Sequence, residues 1–307
     1  MRVLSGPWFE WPALQIATAV TIGVFDGVHL GHRRLLDSVV ESGITPAVLT
    51  FDPHPAEVLA PGSHPRLLTT VEERIELLDR IGIELVGVLD LAEIRSFPPE
   101  RFVGEVLIEK LGMSHLVTGT DFHFGRDRAG DVEFLMAAGG RLGFTMDVVE
   151  LRDHGGVISS SRIRALIENG EVADASDLLG SNFSLTNIVV AGDRRGRELG
   201  FPTANLEPPV RKVIPGHGIY AGRARIEGRW HAAAINVGVR PTFGGSGLVI
   251  EAYILDFERD LYGEALTLEF VEKLRPELKF DSVADLISQM KADVEMVRAI
   301  VGAPAQG

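Results

Sequence analysis

The chain has 307 residues, 45% of them hydrophobic and 24% charged, with a formal net charge of −13 and no cysteine. That length exceeds what one hydrophobic core commonly serves, so two domains are expected, and the acidic balance argues against bulk binding to nucleic acid or anionic membrane. The missing cysteines exclude disulfides, thiolate zinc sites and cysteine nucleophiles together. The opening stretch MRVLSGPWFEWP has no apolar run of the signal-peptide kind, and no stretch is long and apolar enough to span a bilayer. A cytoplasmic enzyme or binding protein is expected.

In chain order, AVTIGVF (19–25) predicts a short buried strand. A helix follows from about Leu30, with Leu35, Leu36, Val39 and Val40 on one face and Gly43 as its stop. PAVLTF then reads as a second strand, completing the strand–helix–strand unit of a parallel sheet. The prolines of FDPHP (51–55) argue against helix there. VEERIELLDRIG, FVGEVLIEKLG, VEFLMAAGGRLG and SRIRALIENG are helical in pattern, and ELVGVLDL, HLVTG and TMDVVEL are strand-like. After Gly180 the texture changes. SLTNIVVAG, IYAGRARIEG, WHAAAINVG, VIEAYILDF and ALTLEFVEKL are strands punctuated by turn residues, which predicts a barrel or sandwich. One helix closes the chain, capped by Asp281 or Ser282, with Val283, Leu286, Ile287, Met290, Val294 and Val297 on one face. The domain boundary is expected near 180–184.

Four stretches carry chemistry. In GVFDGVHLGH (23–32), His29 and His32 stand where a strand ends and a helix begins, the edge at which open α/β sheets bind ligands. Residues three apart share a helical face, and a helix N-terminus seats phosphate; Gly27 and Gly31 let backbone approach closely. The alternatives are two surface histidines, or a zinc site for which no third ligand stands out. The serine run in ISSSRIR (158–164) offers hydroxyls and free N–H groups at a helix start, with Arg162 and Arg164 pointing nearly opposite ways; a plain helix cap is the alternative. In GRELGFPTANL (196–206), Thr203 and Asn205 face one way on an extended segment. Their neutral oxygens suit Mg²⁺ when ATP phosphates supply the charge, whereas a backbone-bonded turn is the alternative. No P-loop pattern occurs. In VIEAYILDF, Glu251 shares a face with Val249, Tyr253 and Leu255, and apolar surroundings would raise its pKa and make it a better base; otherwise it is an exposed barrel glutamate.

GVFDGVHLGH resembles the signature of the HxGH nucleotidyltransferases, in the form found in the prokaryotic bifunctional riboflavin kinase/FMN adenylyltransferases. The resemblance extends over nearly the whole chain. It implies that His29 and His32 bind ATP phosphates and stabilise the transition state of adenylyl transfer, and that Gly23, Phe25 and Asp26 belong to the same ATP-binding signature. ISSSRIR resembles the family's ISSTxIR motif, which implies ATP contacts from Ser159, Ser160, Ser161 and Arg164, with Ser161 in place of Thr. GTDFHFG (119–125) resembles its flavin-contacting loop, implying Asp121, Phe122 and Phe124 near the isoalloxazine; His123 stands where Arg is common. FDPHP also matches a family loop.

LGFPTANL carries the PTAN hallmark of riboflavin kinases, which implies that Gly200, Thr203 and Asn205 bind ATP, with Thr203 and Asn205 on its Mg²⁺. INVGVRPTFGG and GIYAG resemble kinase segments, and the resemblance implies that Gly218 and Tyr220 belong to a flexible flap over the nucleotide and contact the flavin. Glu251 occupies the place of the catalytic glutamate, with Tyr253 where His is frequent. LRPELKF (274–280) resembles the segment bordering the flavin, which offers Arg275 either as a substrate contact or as the partner of an acidic neighbour. The implied fold is an α/β Rossmann-like HxGH nucleotidyltransferase domain, 1–182, followed by a mainly-β riboflavin kinase-like barrel, 183–307, with a C-terminal helix. The implied activities are phosphorylation of riboflavin to FMN and adenylylation of FMN to FAD, with ATP, Mg²⁺ and flavins as the small-molecule partners. No nucleic-acid or membrane partner is expected, and self-association is left open. A flavin- or nucleotide-binding regulator, or a chain keeping one activity alone, are the competing readings.

Overall fold

The structure, a computed structural model, describes residues 1–62, 64–150, 158–192, 196, 199–242 and 245–302. Leu151 of TMDVVEL, Arg197 and Glu198 of GRELGFPTANL, and Phe243 and Gly244 of INVGVRPTFGG lie outside the described residues. The chain divides into two compact units, Met1–Ser160 and Ser161–Gly307.

The first unit is a parallel sheet. Its strands are β1 (Arg2–Leu4), β2 (Thr18–Ile22), β3 (Thr45–Phe51), β4 (Leu85–Leu89), β5 (Met113–Gly119) and β6 (Thr145–Val149), in the order β1-β4-β3-β2-β5-β6. Every pairing is parallel. The continuous apolar runs follow from burial on both faces. Val20, Ile22, Ala47 and Leu49 join a core with Trp8, Trp11 and Phe102. Their neighbours Ala19 and Val48 point the other way, into a core with Leu36, Val39 and Leu78. Those last residues come from α1 (Leu30–Glu41), which buries Leu35, Leu36 and Val39, and α3 (Val71–Ile81). Thr70 and Glu73 form a reciprocal capping box that starts α3, and Gly82, at φ +104°, ends it. The sheet order reverses between β2 and β5, so the carboxyl ends of those two strands mark the switch point where such sheets bind ligands.

The structure departs from the sequence expectation in three places here. Three-residue β1 and the 3₁₀ turn Trp8–Glu10 were not anticipated, because elements that short carry no readable periodicity. The FDPHP stretch does open a helix, α2 (Pro55–Leu59): Pro55 sits in its first turn, where a missing N–H costs nothing, and His54 caps it by accepting from the Ala56 N–H at 3.1 Å. Phe102–Lys110, expected as an ordinary helix, runs in π register; helices α4 (Leu91–Ile94), α5 (Pro99–Arg101) and α6 (Val132–Leu142) complete this unit.

The second unit contains α7 (Ser160–Asn169, its first residue at the boundary), α8 (Val172–Leu179) and a barrel. Strands β7 (Phe183–Val190), β8 (Thr203–Leu206), β9 (Gly218–Ile226), β10 (Arg229–Thr242), β11 (Gly245–Ile254) and β12 (Ala265–Arg275) close in the order β10-β11-β8-β7-β12-β9. All neighbours are antiparallel. Alternation sends Leu185, Ile235, Val237, Ile250, Ala252 and Phe270 into the interior, where they are buried. The closing helix α9 (Val283–Val301) is capped by Ser282, whose Oγ accepts from the Asp285 N–H at 3.1 Å. Val297 is buried as expected, whereas Val283 is 60% exposed; it lies in the first turn, and the buried stripe includes Asp293 because that carboxylate is paired with Arg275.

Gly222 in β9 shows how tightly the barrel closes. A Cβ there would lie 2.3 Å from the Glu269 carbonyl oxygen and 2.5 Å from Ile235 Cδ1. Neither backbone nor a core isoleucine yields cheaply. Gly222→Ala is therefore expected to destabilise the second unit by about 1–3 kcal/mol, the usual cost of overpacking. Urea unfolding followed by far-UV circular dichroism checks this; an unchanged midpoint would contradict the close approach.

Candidate active sites

The histidine site grows from the end of β2. Gly23 leaves the strand, its N–H donating to the Leu49 carbonyl at 3.1 Å, and a Cβ on it would press the Phe25 ring at 3.1 Å. Phe25 and Val28 both sit at positive φ, +51° and +42°, which bulky and β-branched residues rarely adopt. This strained turn delivers His29 as the N-cap of α1, only 3% exposed, with His32 one turn on. The two imidazoles stack at 3.5 Å between ring centroids with planes 16° apart, and Phe25 meets His32 edge-on at 5.1 Å. Gly31 makes room: a Cβ there would lie 3.1 Å from His29 Nδ1 and 3.1 Å from the Ile158 carbonyl oxygen.

Buried polar braces hold this loop. The Asp26 carboxylate accepts from the Leu68 and Thr69 N–H groups at 2.9 and 3.0 Å and from the Thr69 hydroxyl at 3.3 Å. The Gly27 N–H donates to Thr69 Oγ1 at 3.0 Å. Asp26, 1% exposed, and Phe25 were expected among ATP-binding residues; the structure instead sets both in the interior, because the loop's strained turn needs a polar anchor and an apolar plug. A second brace comes from Arg74 of α3. Its Nη1 donates to Thr50 Oγ1 at 2.9 Å and to the Phe51 carbonyl at 3.2 Å, and the Thr50 hydroxyl donates to the Val24 carbonyl at 3.0 Å. Sequence reading passed over Arg74. The available signal was a cation on the apolar stripe of an amphipathic helix, beside Val71, Ile75 and Leu78. Burial first, then His29 and Arg74, hold His32 well below the usual imidazole range, so it is neutral at neutral pH.

Ser160, at the start of α7, donates its hydroxyl to the Asp26 carbonyl at 3.0 Å and so ties the serine motif to the histidine loop; Ser159 precedes it, half-buried. Ser161 and Arg164 belong to the second unit, where Arg164 Nη1 donates to Ser161 Oγ at 3.3 Å. The GTDFHFG loop leaves β5, the other strand of the switch point. Phe122 and Phe124 stack at 5.5 Å and are half-buried on the core, Phe124 also touching Phe102 and Phe134. Asp121 is exposed, and His123 Nδ1 lies 2.9 Å from the Asp121 carbonyl oxygen.

The second site lies on the barrel. Two cavities adjoin β8, one of about 800 Å³ and one of about 520 Å³. Thr203 and Asn205 line both. They project to one side of β8, and Gly192 cradles Asn205: a Cβ there would overlap the amide at 2.3 Å. Gly200, at φ +85°, makes the turn before Phe201 and Thr203. The larger cavity is walled by Val189–Gly192 and Phe257–Tyr262. The smaller is bounded by Glu251, Tyr253, Arg275, Leu278 and Phe280, with Met290 of α9 across from them.

Glu251 is half-buried and stands opposite Asn205 on one side and Asn236 on the other. Asn236, which carried no role in the sequence reading, was legible only through this register. Tyr253, opposite Thr203, packs edge-on against Phe201 at 5.2 Å. Arg275 takes the acidic-partner option while still lining the cavity. Its Nε and Nη2 donate to the Asp293 carboxylate at 3.0 and 2.7 Å.

The flap expectation for Gly218 and Tyr220 is corrected. Both lie in strand β9, at the end where its pairing with β12 shifts register, and Tyr220 is 0% exposed, edge-on to Phe270 at 5.4 Å, with its hydroxyl donating to the Gly216 carbonyl. Burial pushes that hydroxyl up to about 12. The Tyr220 ring is a core residue because its position on β9 faces the barrel interior.

Among the described residues no group of three His, Asp or Glu is placed to hold a metal. Thr203 and Asn205 offer neutral oxygens instead, a donor set that fits an ion whose other ligands are phosphates. Among the described residues no helix is long and apolar enough to cross a membrane.

The described residues thus hold a histidine pair at the switch point of a parallel sheet and, on a closed barrel, a carboxylate in the smaller of two cavities that share Thr203 and Asn205. Residues 12–162 match the FAD synthetase family and residues 179–301 the riboflavin kinase family. The chain is 35% identical to the bifunctional riboflavin kinase/FMN adenylyltransferase of Bacillus subtilis, covering 91% of each chain. It is also 35% identical to the protein of that name from Escherichia coli K12, covering 98% of each. A crystal structure from Streptococcus pneumoniae, described as a macrolide-efflux protein, is similar with a TM-score of 0.87 and 31% identity, covering 95% of this chain and 97% of that one. The chain belongs to the bifunctional riboflavin kinase/FMN adenylyltransferase family.

His32, half-buried with its Nδ1 out of solvent, gives the first unit a pH signature. Its folded-state pKa lies below the unfolded value of 6.5, so between the two the unfolded chain binds the extra proton. Stability is then full above about pH 6.5 and falls as the pH drops, by up to about 1.4 kcal/mol per pH unit for one group. His32→Asn should remove that slope. Thermal unfolding at about pH 7.5 and about pH 5.5, a window in which ordinary carboxylates stay ionised, compares the two proteins; an equal loss in both would count against a neutral imidazole there.

Proposed function

We propose that the first domain, residues 1–182, transfers AMP from ATP to FMN, giving FAD and pyrophosphate, and that the second, residues 183–307, phosphorylates riboflavin to FMN with ATP. The observation that carries this reading is the placement of Thr203 and Asn205 on a wall common to two cavities, with Glu251 in the smaller one. Two reactants can then meet across β8. The larger cavity suits a nucleoside triphosphate, and the smaller, with its apolar wall of Leu278, Phe280 and Met290, suits the flat flavin.

In the barrel, Glu251 accepts the proton of the riboflavin 5′-hydroxyl as that oxygen attacks the γ-phosphate and ADP departs. Thr203 and Asn205 would hold Mg²⁺ together with the ATP phosphates, and the ion would offset phosphate charge there. Arg275, oriented by Asp293, borders the flavin. In the sheet unit, an FMN phosphate oxygen attacks the α-phosphate of ATP and pyrophosphate leaves. His29 and His32 donate imidazole N–H bonds to the phosphate oxygens as charge develops there. A neutral His32 suits this role, since it carries one donor whose direction the stacked pair fixes. The free N–H groups at the start of α1 add to the cradle. Ser159 and Ser160 extend it, while Phe25 and Asp26 shape it from beneath. Phe122 and Phe124 offer a stacked edge for the FMN ring. Both steps rest on positioning and charge stabilisation without a covalent enzyme intermediate. The acidic surface fits a cytoplasmic enzyme of small molecules without a nucleic-acid partner.

Separate sites predict separable losses. His29→Ala should lower FAD formation from supplied FMN by about 10²-fold or more and leave FMN formation from riboflavin intact, whereas Glu251→Gln should do the reverse. Chromatographic separation of riboflavin, FMN and FAD reads both. Equal loss of the two activities in a folded His29→Ala protein would contradict the division, and full kinase turnover in Glu251→Gln would rule out the base. Excess EDTA should stop both reactions; continued turnover would refute metal dependence.

A further inference from the structure

Strand register places a polar group beside Glu251 that the reaction as described does not use. Across the barrel, Asn205 stands opposite Glu251, Glu251 opposite Asn236, Asn236 opposite Ile219, and Ile219 opposite Arg275. Directly opposed residues of antiparallel strands point to the same face, with Cβ atoms about 5 Å apart. Ile235 and Val237 on either side of Asn236 are fully buried in the barrel, so the Asn236 amide points outward with Glu251. Both line the 520 Å³ cavity.

The environment of that amide is incomplete. Asn236 Oδ1 is buried and has no hydrogen-bond partner among the described residues. The wall of that cavity carries Ile219, Ala234, Leu286, Met290 and Val294, whose side chains have no polar hydrogen to give, and none of its donors, Thr203, Asn205, Tyr253 and Arg275, bonds to Oδ1. A buried carbonyl left unmet costs more than a made bond gains, and such orphans mark places where a bound partner completes the structure. The partner must carry a donor next to the group that Glu251 contacts. Riboflavin has such a feature: the ribityl chain presents hydroxyls in sequence from the ring to the reacting 5′ end. A hydroxyl both donates and accepts, so it can meet Oδ1 while keeping its other contacts.

We infer that Asn236 is a substrate-contacting residue of the kinase site, its side-chain amide taking a hydrogen bond from a ribityl hydroxyl and so setting the 5′-hydroxyl against Glu251. The inference rests on the reading of this cavity as the flavin site. It makes Asn236 a selector for the polyol chain over the ring, because a flavin without that chain makes no bond to Oδ1 and so binds alike with or without the asparagine.

The test compares riboflavin with lumiflavin, which has the ring and a methyl group in place of the ribityl chain. Both are read on the intact protein as total FMN plus FAD formed from riboflavin and Mg-ATP: the KM for riboflavin, and the inhibition constant of lumiflavin as competitor. This readout is confined to the kinase site and ignores flavin bound elsewhere. Asn236→Leu, close in shape but apolar, should raise the riboflavin KM about tenfold, the size of one hydrogen bond to a buried group, and leave the lumiflavin constant within about twofold. Asn236→Ala should show the same selectivity, which guards against a packing fault peculiar to leucine. Parallel weakening of both flavins, or an unchanged riboflavin KM, overturns the assignment of Asn236. Lumiflavin that fails to compete in the unmodified protein overturns the flavin cavity itself, and the inference with it. A failure of Glu251 as base appears only in the turnover of Glu251→Gln and leaves this comparison as it stands.

Discussion

Hydrogen-bond register is the constraint on which the barrel's chemistry depends. Pairing of β11 with β8 and β10 sets Asn205, Glu251 and Asn236 in one row, across three adjacent strands. Side chains alternate along each strand, so slipping β11 by one residue would turn Glu251 inward and push Ile250 or Ala252 out to the cavity. The buried interior of Ile235, Val237, Ile250 and Ala252 is what forbids that slip. The hydrophobic core therefore does more than stabilise the barrel: it aims a carboxylate, two amides and a hydroxyl at one space. Closure adds to this, since a barrel has no free edge along which register could drift.

The sheet unit reaches the same end by buried polar bracing. Parallel strands supply a rigid floor, but the histidines sit on a loop beyond it. That loop holds two residues in left-handed backbone that their side chains disfavour, and such strain persists only where the surroundings over-determine it. Asp26 and Thr69 fasten the loop on one side, and Arg74 with Thr50 on the other. Arg74 also acts electrostatically, as one of the causes that keep His32 neutral. Both sites are thus built on groups immobilised before any ligand arrives, which suits reactions whose catalysis is largely positioning.

Much of this was legible in the sequence, and the gaps have physical causes. The alternation of β11 put Glu251 on one face with Tyr253, and the spacing in PTAN put Thr203 and Asn205 on one side, because strand geometry is local. The GVFDGVHLGH string located the histidine pair for the same reason. Asp26 was misjudged because sequence cannot tell a carboxylate facing a ligand from one facing backbone N–H groups 42 residues away. Tyr220 was misjudged because a resemblance names a segment without saying which face each residue takes. Asn236 and Arg74 went unassigned since their importance lies in long-range partners: strand register for the first, a buried tether to β3 for the second. The FDPHP stretch shows a local rule applied too widely, as proline excludes a helix interior and favours a first turn.

The account stands on two independent sites that act in sequence on one flavin. The most direct measurement is a time course of the intact protein with riboflavin and Mg-ATP, with the flavins separated at intervals. FMN should appear first and FAD after it, and supplying FMN in place of riboflavin should give FAD with no lag. A protein that binds flavin and nucleotide yet leaves riboflavin unchanged, or that yields FMN and never FAD, would contradict it.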